Sequence, residues 1–284
     1  MADADLFEQF TVEVSDEAVF DLRRRLADTR WPDQVADTGW DDGCDLAWLR
    51  KLADYWADGF DWRYAEARIN SFDQITTTID GQRIHAIHQR SPEPDALPLL
   101  ISHGWPGSIV EFLQVLGPLT DPAAHGGEPG DAFHVIAPSL PGYAWSGPTA
   151  QPGWGPDRTG RAFALLADRL GYDRYGVQGG DWGSLVSQHI AGHDPDHVVG
   201  CHLNMLAAFP RGRDGDLDDI TPSSSNTSTD PPGTRPRTTA TSVSKRPAPT
   251  PWGLASRTRR LGCCRGSARS FTVGPTTTVI PWTS

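Results

Sequence analysis

The segment QGGDWGS, residues 178–184, places an acidic residue between glycines, directly after a strand-like run and directly before a helix-like one. Gly179 and Gly183 stand two residues before and two after Asp181, which is the spacing of a nucleophile elbow. Such a turn tolerates only small flanking residues and pushes the central side chain out over the edge of a sheet. The start of the following helix would favour an ionised carboxylate there. The pattern predicts an exposed oxygen nucleophile, with a simple Asp helix cap as the alternative.

A second motif, HGWPG at residues 103–107, follows another buried strand-like run, 78 residues before the acid. Its position is that of the loop that donates an oxyanion N–H group in α/β-hydrolases. The backbone N–H groups of Trp105 and Trp182 would then form one oxyanion hole, in which each donor typically contributes ~3–4 kcal/mol. His103, Gly104 and Pro106 would support this loop. The alternative interpretation of HGWPG is a plain connection between a strand and a helix.

The segments around these motifs alternate between strand-like and helix-like from Leu97 onward. The strand-like runs are LPLLIS, FHVIAPS, RYGVQGG and HVVGCHLNML, and the helix-like runs are SIVEFLQVLGPL, RAFALLADRLGY and SLVSQHIAG. This alternation predicts a mostly parallel sheet with right-handed crossovers and helices on both faces. Both motifs follow strands, at the carboxyl edge where such sheets carry their functional loops.

The N-terminal part has a different pattern, helical and rich in tryptophan. Ser15 is the predicted N-cap of a first helix that would end at Trp31-Pro32. A second helix is predicted at about Leu46–Trp56, with its apolar residues on one face. Two strands, Gln74–Ile79 and Arg83–His88, are then expected to form a hairpin around Asp80-Gly81.

Several of these segments resemble the microsomal-type epoxide hydrolase family of α/β-hydrolases. The resemblance lies in HGWPGS, PSLPGYAWS (Pro138–Ser146) and GGDWGS, and in FTVEVSDEAVFDLRRRLADTRWPD and WRYAEARINSFDQITTTIDGQRIHAIH of the N-terminal meander. It runs from about Phe10 to Pro210 and implies that Asp181 attacks an epoxide carbon to form an alkyl ester. A histidine-activated water would then release a diol. The resemblance also implies oxyanion donors at Trp105 and Trp182, a possible cis peptide at Trp105-Pro106, and a small-molecule epoxide as the partner. No cofactor or metal is expected.

The chain departs from the family pattern after the elbow. The family supplies cap tyrosines as proton donors, and an acid and a histidine as the base system. In this sequence every histidine lies at or before His202, every tyrosine at or before Tyr175, and no acid follows Asp230. We therefore predict that the ester forms but that turnover is impaired.

Earlier histidines are not expected to replace the missing base. His103 belongs to the oxyanion loop, and His189 and His193 lie along a helix that runs away from Asp181. Together with His197 they have i, i+4, i+8 spacing, but Asp194-Pro195 should end the helix first and there is no HExxH motif. Surface or helix-end histidines are the simpler interpretation. His85 and His88 should lie on opposite faces of their strand.

The C-terminal segment differs sharply in composition. All 36 acidic residues precede Pro231, whereas residues 231–284 contain nine basic residues and no acid. Of those 54 residues, 30 are Pro, Gly, Ser or Thr, so they offer little apolar surface to offset ordering entropy. The predicted domains are a helical meander at 1–72, a partial α/β-hydrolase core at 73–210, incomplete at its C-terminal side, and a disordered low-complexity tail at 211–284. A reading-frame shift near Pro210–Thr234 is a hypothesis that resequencing would test.

Composition narrows the remaining possibilities. The net charge of −11 argues against nucleic-acid binding, and only the basic tail would favour it. The first ten residues do not resemble a secretory signal, no run is long enough to span a membrane, and the four cysteines lack zinc spacing. A cytoplasmic protein without a membrane partner is expected, and the oligomeric state stays open. A haloalkane dehalogenase-like hydrolase and a catalytically inactive fragment are the functional alternatives.

Overall fold

The computed structural model describes residues 6–206, 271–272 and 278–280. The strands among them are β1 (Glu8–Gln9), β2 (Gln74–Ile79), β3 (Gln82–Gln89), β4 (Leu97–Ser102), β5 (Phe133–Pro138), β6 (Tyr175–Gly179), β7 (Val198–Leu203), β8 (Phe271–Thr272) and β9 (Thr278–Ile280). The α-helices are α1 (Asp16–Ala27), α2 (Leu46–Asp54), α3 (Trp62–Ile69), α4 (Leu116–Thr120), α5 (Pro156–Arg169) and α6 (Trp182–His193).

The strands form one mixed sheet in the order β1-β2-β3-β5-β4-β6-β7-β9-β8. Its central members, β5, β4, β6 and β7, are parallel, and the strands on either side of them run antiparallel. Apolar clusters cover both faces. One contains Leu166 of α5 and Ile190 of α6, and the other contains Ile69 of α3 and Leu116 of α4. The predicted α/β-hydrolase core, with helices on both sides of the sheet, is confirmed.

The hairpin between β2 and β3 is also confirmed. Asp80 and Gly81 both have positive φ, at 52° and 73°, which is the conformation that a two-residue type I′ turn requires. Ile79 pairs with Gln82 across the turn. A dipeptide whose residues tolerate left-handed backbone geometry therefore fixes the register of both strands.

The N-terminal helices differ from prediction mainly at their ends. Ser15 caps α1 as expected, and its hydroxyl accepts a hydrogen bond from the Ala18 N–H at 3.2 Å. α1 ends at Ala27, several residues before Trp31-Pro32, and the Thr29 hydroxyl bonds the Arg25 carbonyl beyond its end. Asp45 caps α2, which continues into a single π-helical turn at Tyr55–Gly59. Neither α1 nor α2 has a fully buried residue.

The helix predicted for SIVEFLQVLGPL is wrong. The segment forms a short 3-10 helix at Ile109–Phe112 and then the separate α4. Pro118 explains the break, since it has no N–H for a helical hydrogen bond and its ring collides with the carbonyl of the residue four positions earlier. A continuous helix through this segment would need an N–H at position 118 and space for the carbonyl of residue 114.

Most of the predicted tail, 211–284, lies outside the described residues, so its disorder stays a prediction. Within it, β9 pairs antiparallel with β7, at Cys201↔Ile280, and β8 pairs with β9. These two short strands were not foreseen from the sequence. Among the described residues, no helix combines the length and the apolar character that a membrane crossing needs.

Candidate active site

Asp181 occupies the turn between β6 and α6 with φ 52° and ψ −127°. Positive φ is uncommon for a residue with a side chain, and such conformations typically cost ~1–3 kcal/mol, which the surrounding structure must hold. A Cβ on Gly179 would overlap the Gly183 carbonyl, and a Cβ on Gly183 would overlap the Ser102 carbonyl. The two glycines let α6 start directly above the sheet, which leaves the Asp181 side chain exposed.

The loop after β4 meets this turn. The Trp105 N–H donates a hydrogen bond of 2.7 Å to Asp181 Oδ1. The N–H of Trp105, and then that of Trp182, hold the pKa of the Asp181 carboxyl below its usual range. A Cβ on Gly104 would lie 2.5 Å from Asp181 Oδ1, so only glycine permits this approach. The structure thus brings together the three residues that the sequence selected, around a carboxylate held in its charged form.

His103 is buried beneath this loop and bonded at both ring nitrogens. Its Nδ1 lies 3.0 Å from the Gly104 carbonyl, and its Nε2 accepts the Leu140 N–H at 3.1 Å. Since a carbonyl can only accept, the proton sits on Nδ1, and burial lowers the pKa of the ring. His103 therefore ties the loop to the segment after β5 as a neutral ring. The peptide between Trp105 and Pro106 is cis, as the family resemblance implied.

The loop is also held by two residues that the sequence interpretation did not select. Ser108 and Glu111 form a capping box at the start of the 3-10 helix, where Glu111 Oε1 accepts the Ser108 N–H at 3.2 Å. A Cβ on Gly107 would displace the Glu111 carboxylate from this position. The signal was present, because Ser-x-x-Glu is a local capping pattern.

Two further residues support the turn itself. The Ser184 hydroxyl donates to the Asp181 carbonyl at 2.8 Å, which braces the positive-φ residue from the first turn of α6. Asn204, after β7, donates its N–H to the Gly179 carbonyl at 3.3 Å, and its side chain fills the space beside Gly180. No local pattern points to Asn204, because its contact arises from the pairing of two strands.

An open pocket of about 310 Å³ lies over Asp181 and is lined by residues from the loop, the turn and the segment after β7. Trp105 is among its lining residues and is 66% exposed. His103 is the one histidine among its described lining residues. The pocket can therefore present a charged carboxylate and backbone N–H donors to a small molecule.

The other predicted histidine positions lie outside this pocket. His85 and His88 occupy opposite faces of β3 and are both buried, and burial lowers the pKa of each to about 4. α6 ends at His193, so His197 is not on the helix, as Asp194-Pro195 predicted. His189 and His193 instead face Asp157 of α5.

Comparison with known proteins identifies two family matches. The family model described as the epoxide hydrolase N terminus matches residues 7–112, and that of the alpha/beta hydrolase fold matches residues 98–230. A Stigmatella aurantiaca protein provisionally named an epoxide hydrolase is 47% identical over 201 residues, covering 71% of this chain and 46% of the relative. Epoxide hydrolase 1 of Oryctolagus cuniculus is 40% identical over 200 residues, covering 69% and 44%.

A solved structure gives the same result in three dimensions. The epoxide hydrolase of Aspergillus niger superposes with a TM-score of 0.63 at 33% identity, covering 77% of this chain and 57% of that one. The chain therefore spans less than half the length of the two curated relatives, and somewhat more than half of the solved one.

Proposed function

The chain belongs to the microsomal-type epoxide hydrolase family of α/β-hydrolases, and from that premise we propose that Asp181 is the nucleophile that opens an epoxide. The observation that carries the proposal is the 2.7 Å hydrogen bond from the Trp105 N–H to Asp181 Oδ1. This contact keeps the carboxylate ionised and fixes its orientation above the strand–helix turn. A carboxylate in its charged form needs no base to become a nucleophile.

In the proposed first step, Oδ2 attacks a ring carbon, because Oδ1 is held by the loop. The new C–O bond forms as the ring C–O bond breaks. The epoxide oxygen keeps the electron pair of the broken bond and takes a proton from water, which leaves hydroxide. The product is a hydroxyalkyl ester of Asp181. Its carbonyl oxygen is Oδ1, which already faces the Trp105 N–H. When water adds to that carbonyl, each N–H of the oxyanion hole would stabilise the developing charge by about 3–4 kcal/mol.

We also propose that turnover is impaired, since the second step, hydrolysis of the ester, needs a general base. His103 in the pocket has both ring nitrogens bonded to backbone groups. The residues after Leu206 contain no histidine and no tyrosine. Water attack on the ester would proceed without a base, so the ester would accumulate.

Intact-mass measurement of the full chain after incubation with styrene oxide tests both parts. We expect one adduct of the mass of the epoxide, mapped by peptide sequencing to Asp181, and none in Asp181→Asn. Asp42→Asn, at an exposed loop acid, is the matched control and should be alkylated like the parent chain. Absence of both adduct and diol would overturn the nucleophile assignment. Sustained diol release from the parent chain would overturn only the impaired turnover.

Haloalkane dehalogenase-like chemistry is the alternative with the same nucleophile. It would leave an ester on Asp181 but release halide rather than open a ring. The match of residues 7–112 to the epoxide hydrolase N terminus supports the epoxide substrate class. A halide-release assay with a haloalkane should therefore be negative.

A further inference from the structure

A cluster of three metal-ligating side chains lies far from Asp181. Asp157 stands near the start of α5, and His189 and His193 stand on the second half of α6. One ligand atom from each side chain lies within 4.8 Å of the other two. At 1.5 Å of rise per residue, the two histidines are roughly 12 and 18 Å along the helix from Asp181. The cluster is therefore separate from the pocket described above.

Close packing of α5 against α6 builds the cluster. A Cβ on Gly160 would lie 2.6 Å from His189 Cβ, so a glycine is what lets the helices touch at this point. His189 and His193 are one turn apart and share a face, with rings stacked 6.1 Å apart at 22°. Asp157, one turn before Gly160 on α5, reaches both rings.

We propose that Asp157, His189 and His193 bind one divalent transition-metal ion of the Zn²⁺ class, with water in the remaining positions. Imidazole nitrogens and a carboxylate oxygen bind Zn²⁺ at about 2.0–2.2 Å, which separates neighbouring donors by roughly 3–3.5 Å. Asp157 Oδ1 already lies 2.8 Å from His193 Nε2 and 3.5 Å from His189 Nδ1. Small side-chain shifts would place an ion among the three atoms, in exchange for the hydrogen bond to His193.

The charges around the cluster bear on the affinity. Arg161 pairs with Asp157 Oδ2, so the oxygen that faces the histidines is the other one. The neighbouring guanidinium weakens cation binding without occupying the ligand atom. The bound ion would join α5 to α6 as a structural link.

Calorimetric titration of the full-length, chelator-treated chain with ZnCl₂ at neutral pH tests the proposal. We expect about one equivalent of bound Zn²⁺ in the parent chain, and a loss of at least ~10-fold in affinity in Asp157→Asn, His189→Asn and His193→Asn, since each removes one ligand. Matched controls are His125→Asn and His197→Asn, exposed histidines outside the cluster, which should bind like the parent chain. Asp181→Asn should also bind normally, so failure of the proposed hydrolase function would leave this result unaffected.

Arg161→Ala keeps all three ligands and removes the competing charge, so it should bind Zn²⁺ more tightly than the parent chain. With Cu²⁺ as the probe, electron paramagnetic resonance should show coupling to two imidazole nitrogens in the parent chain and to one in His189→Asn. Far-UV circular dichroism establishes that each variant is folded. Equal Zn²⁺ affinity in the ligand variants and the parent chain, or weaker binding in Arg161→Ala, would overturn the proposal.

Discussion

At the scale of single residues, the geometry of the candidate active site depends on glycines at three positions. Gly104, Gly179 and Gly183 each stand where a Cβ would meet the Asp181 side chain or the backbone of a neighbouring segment. The carboxylate can accept the Trp105 N–H only because the loop backbone approaches without a side chain between them. The position of Asp181 is thus set by its neighbours as much as by its own backbone.

Gly104→Ala tests this dependence. The added methyl would lie 2.5 Å from Oδ1 and must displace the carboxylate. A displacement of about 1 Å can cost a reacting group roughly 100-fold in rate, and we expect alkylation of Asp181 by styrene oxide to slow by at least about 10-fold. The matched control is Gly200→Ala on β7, where a Cβ meets nothing within 4 Å. If Gly104→Ala reacts at the parent rate, the loop does not fix the carboxylate.

At the scale of elements, α5 and α6 each contain a glycine, and only one of the two lies where the helices pack tightly together. Gly192 of α6 is exposed and a Cβ there meets nothing within 4 Å, whereas a Cβ on Gly160 of α5 would collide with His189. Alanine has the higher helix propensity at both positions. The packing environment should therefore decide whether each Gly→Ala substitution raises or lowers the free energy of unfolding.

We expect Gly192→Ala to raise the free energy of unfolding by about 0.5 kcal/mol, because it replaces a glycine in the last turn of α6. Gly160→Ala should lower it by about 1–3 kcal/mol, because the extra carbon overpacks the helix interface. Denaturant unfolding followed by circular dichroism measures both. A stabilising Gly160→Ala would mean that the two helices can separate without loss.

Elements whose signals are local could be predicted from the sequence. The Ser15 cap and the Asp80-Gly81 hairpin each follow from the chemistry of a few adjacent residues. The proximity of Trp105 and Trp182 to Asp181 also followed, since the carboxyl ends of neighbouring parallel strands share an edge. The prediction of one helix at SIVEFLQVLGPL was wrong because it followed the apolar periodicity and gave too little weight to Pro118. Contacts made across elements, such as those of Asn204 and Asp157, leave no local pattern.

At the scale of the whole molecule, buried histidines link folding to acidity. His85 is fully buried between Ser139 and Gln74, and His88 is bonded to the Tyr172 hydroxyl. Burial lowers the pKa of each ring from 6.5 to about 4. Between these values the unfolded chain binds the protons and the folded chain does not, so acid favours unfolding.

The free energy of unfolding should be steady above about pH 6.5 and fall as the pH drops from 6.5 to 4, by up to a few kcal/mol in total. The lowered pKa values of His103 and His202 act in the same direction, while the raised pKa of the exposed His197 opposes them weakly. Urea unfolding at successive pH values measures the curve. His85→Asn should be less stable at neutral pH but show a shallower fall. A level curve across this window would contradict the expectation.

The Trp105 donor to Asp181 is a backbone N–H, and the indole that follows it projects outward at the pocket mouth. Any amino acid except proline carries that same N–H. Natural variation at this position could therefore reshape the entrance to the pocket while leaving the charge-binding groups untouched. Substrate selectivity would then depend on a side chain that can be exchanged. Reactivity would depend on a main-chain N–H that most substitutions leave in place.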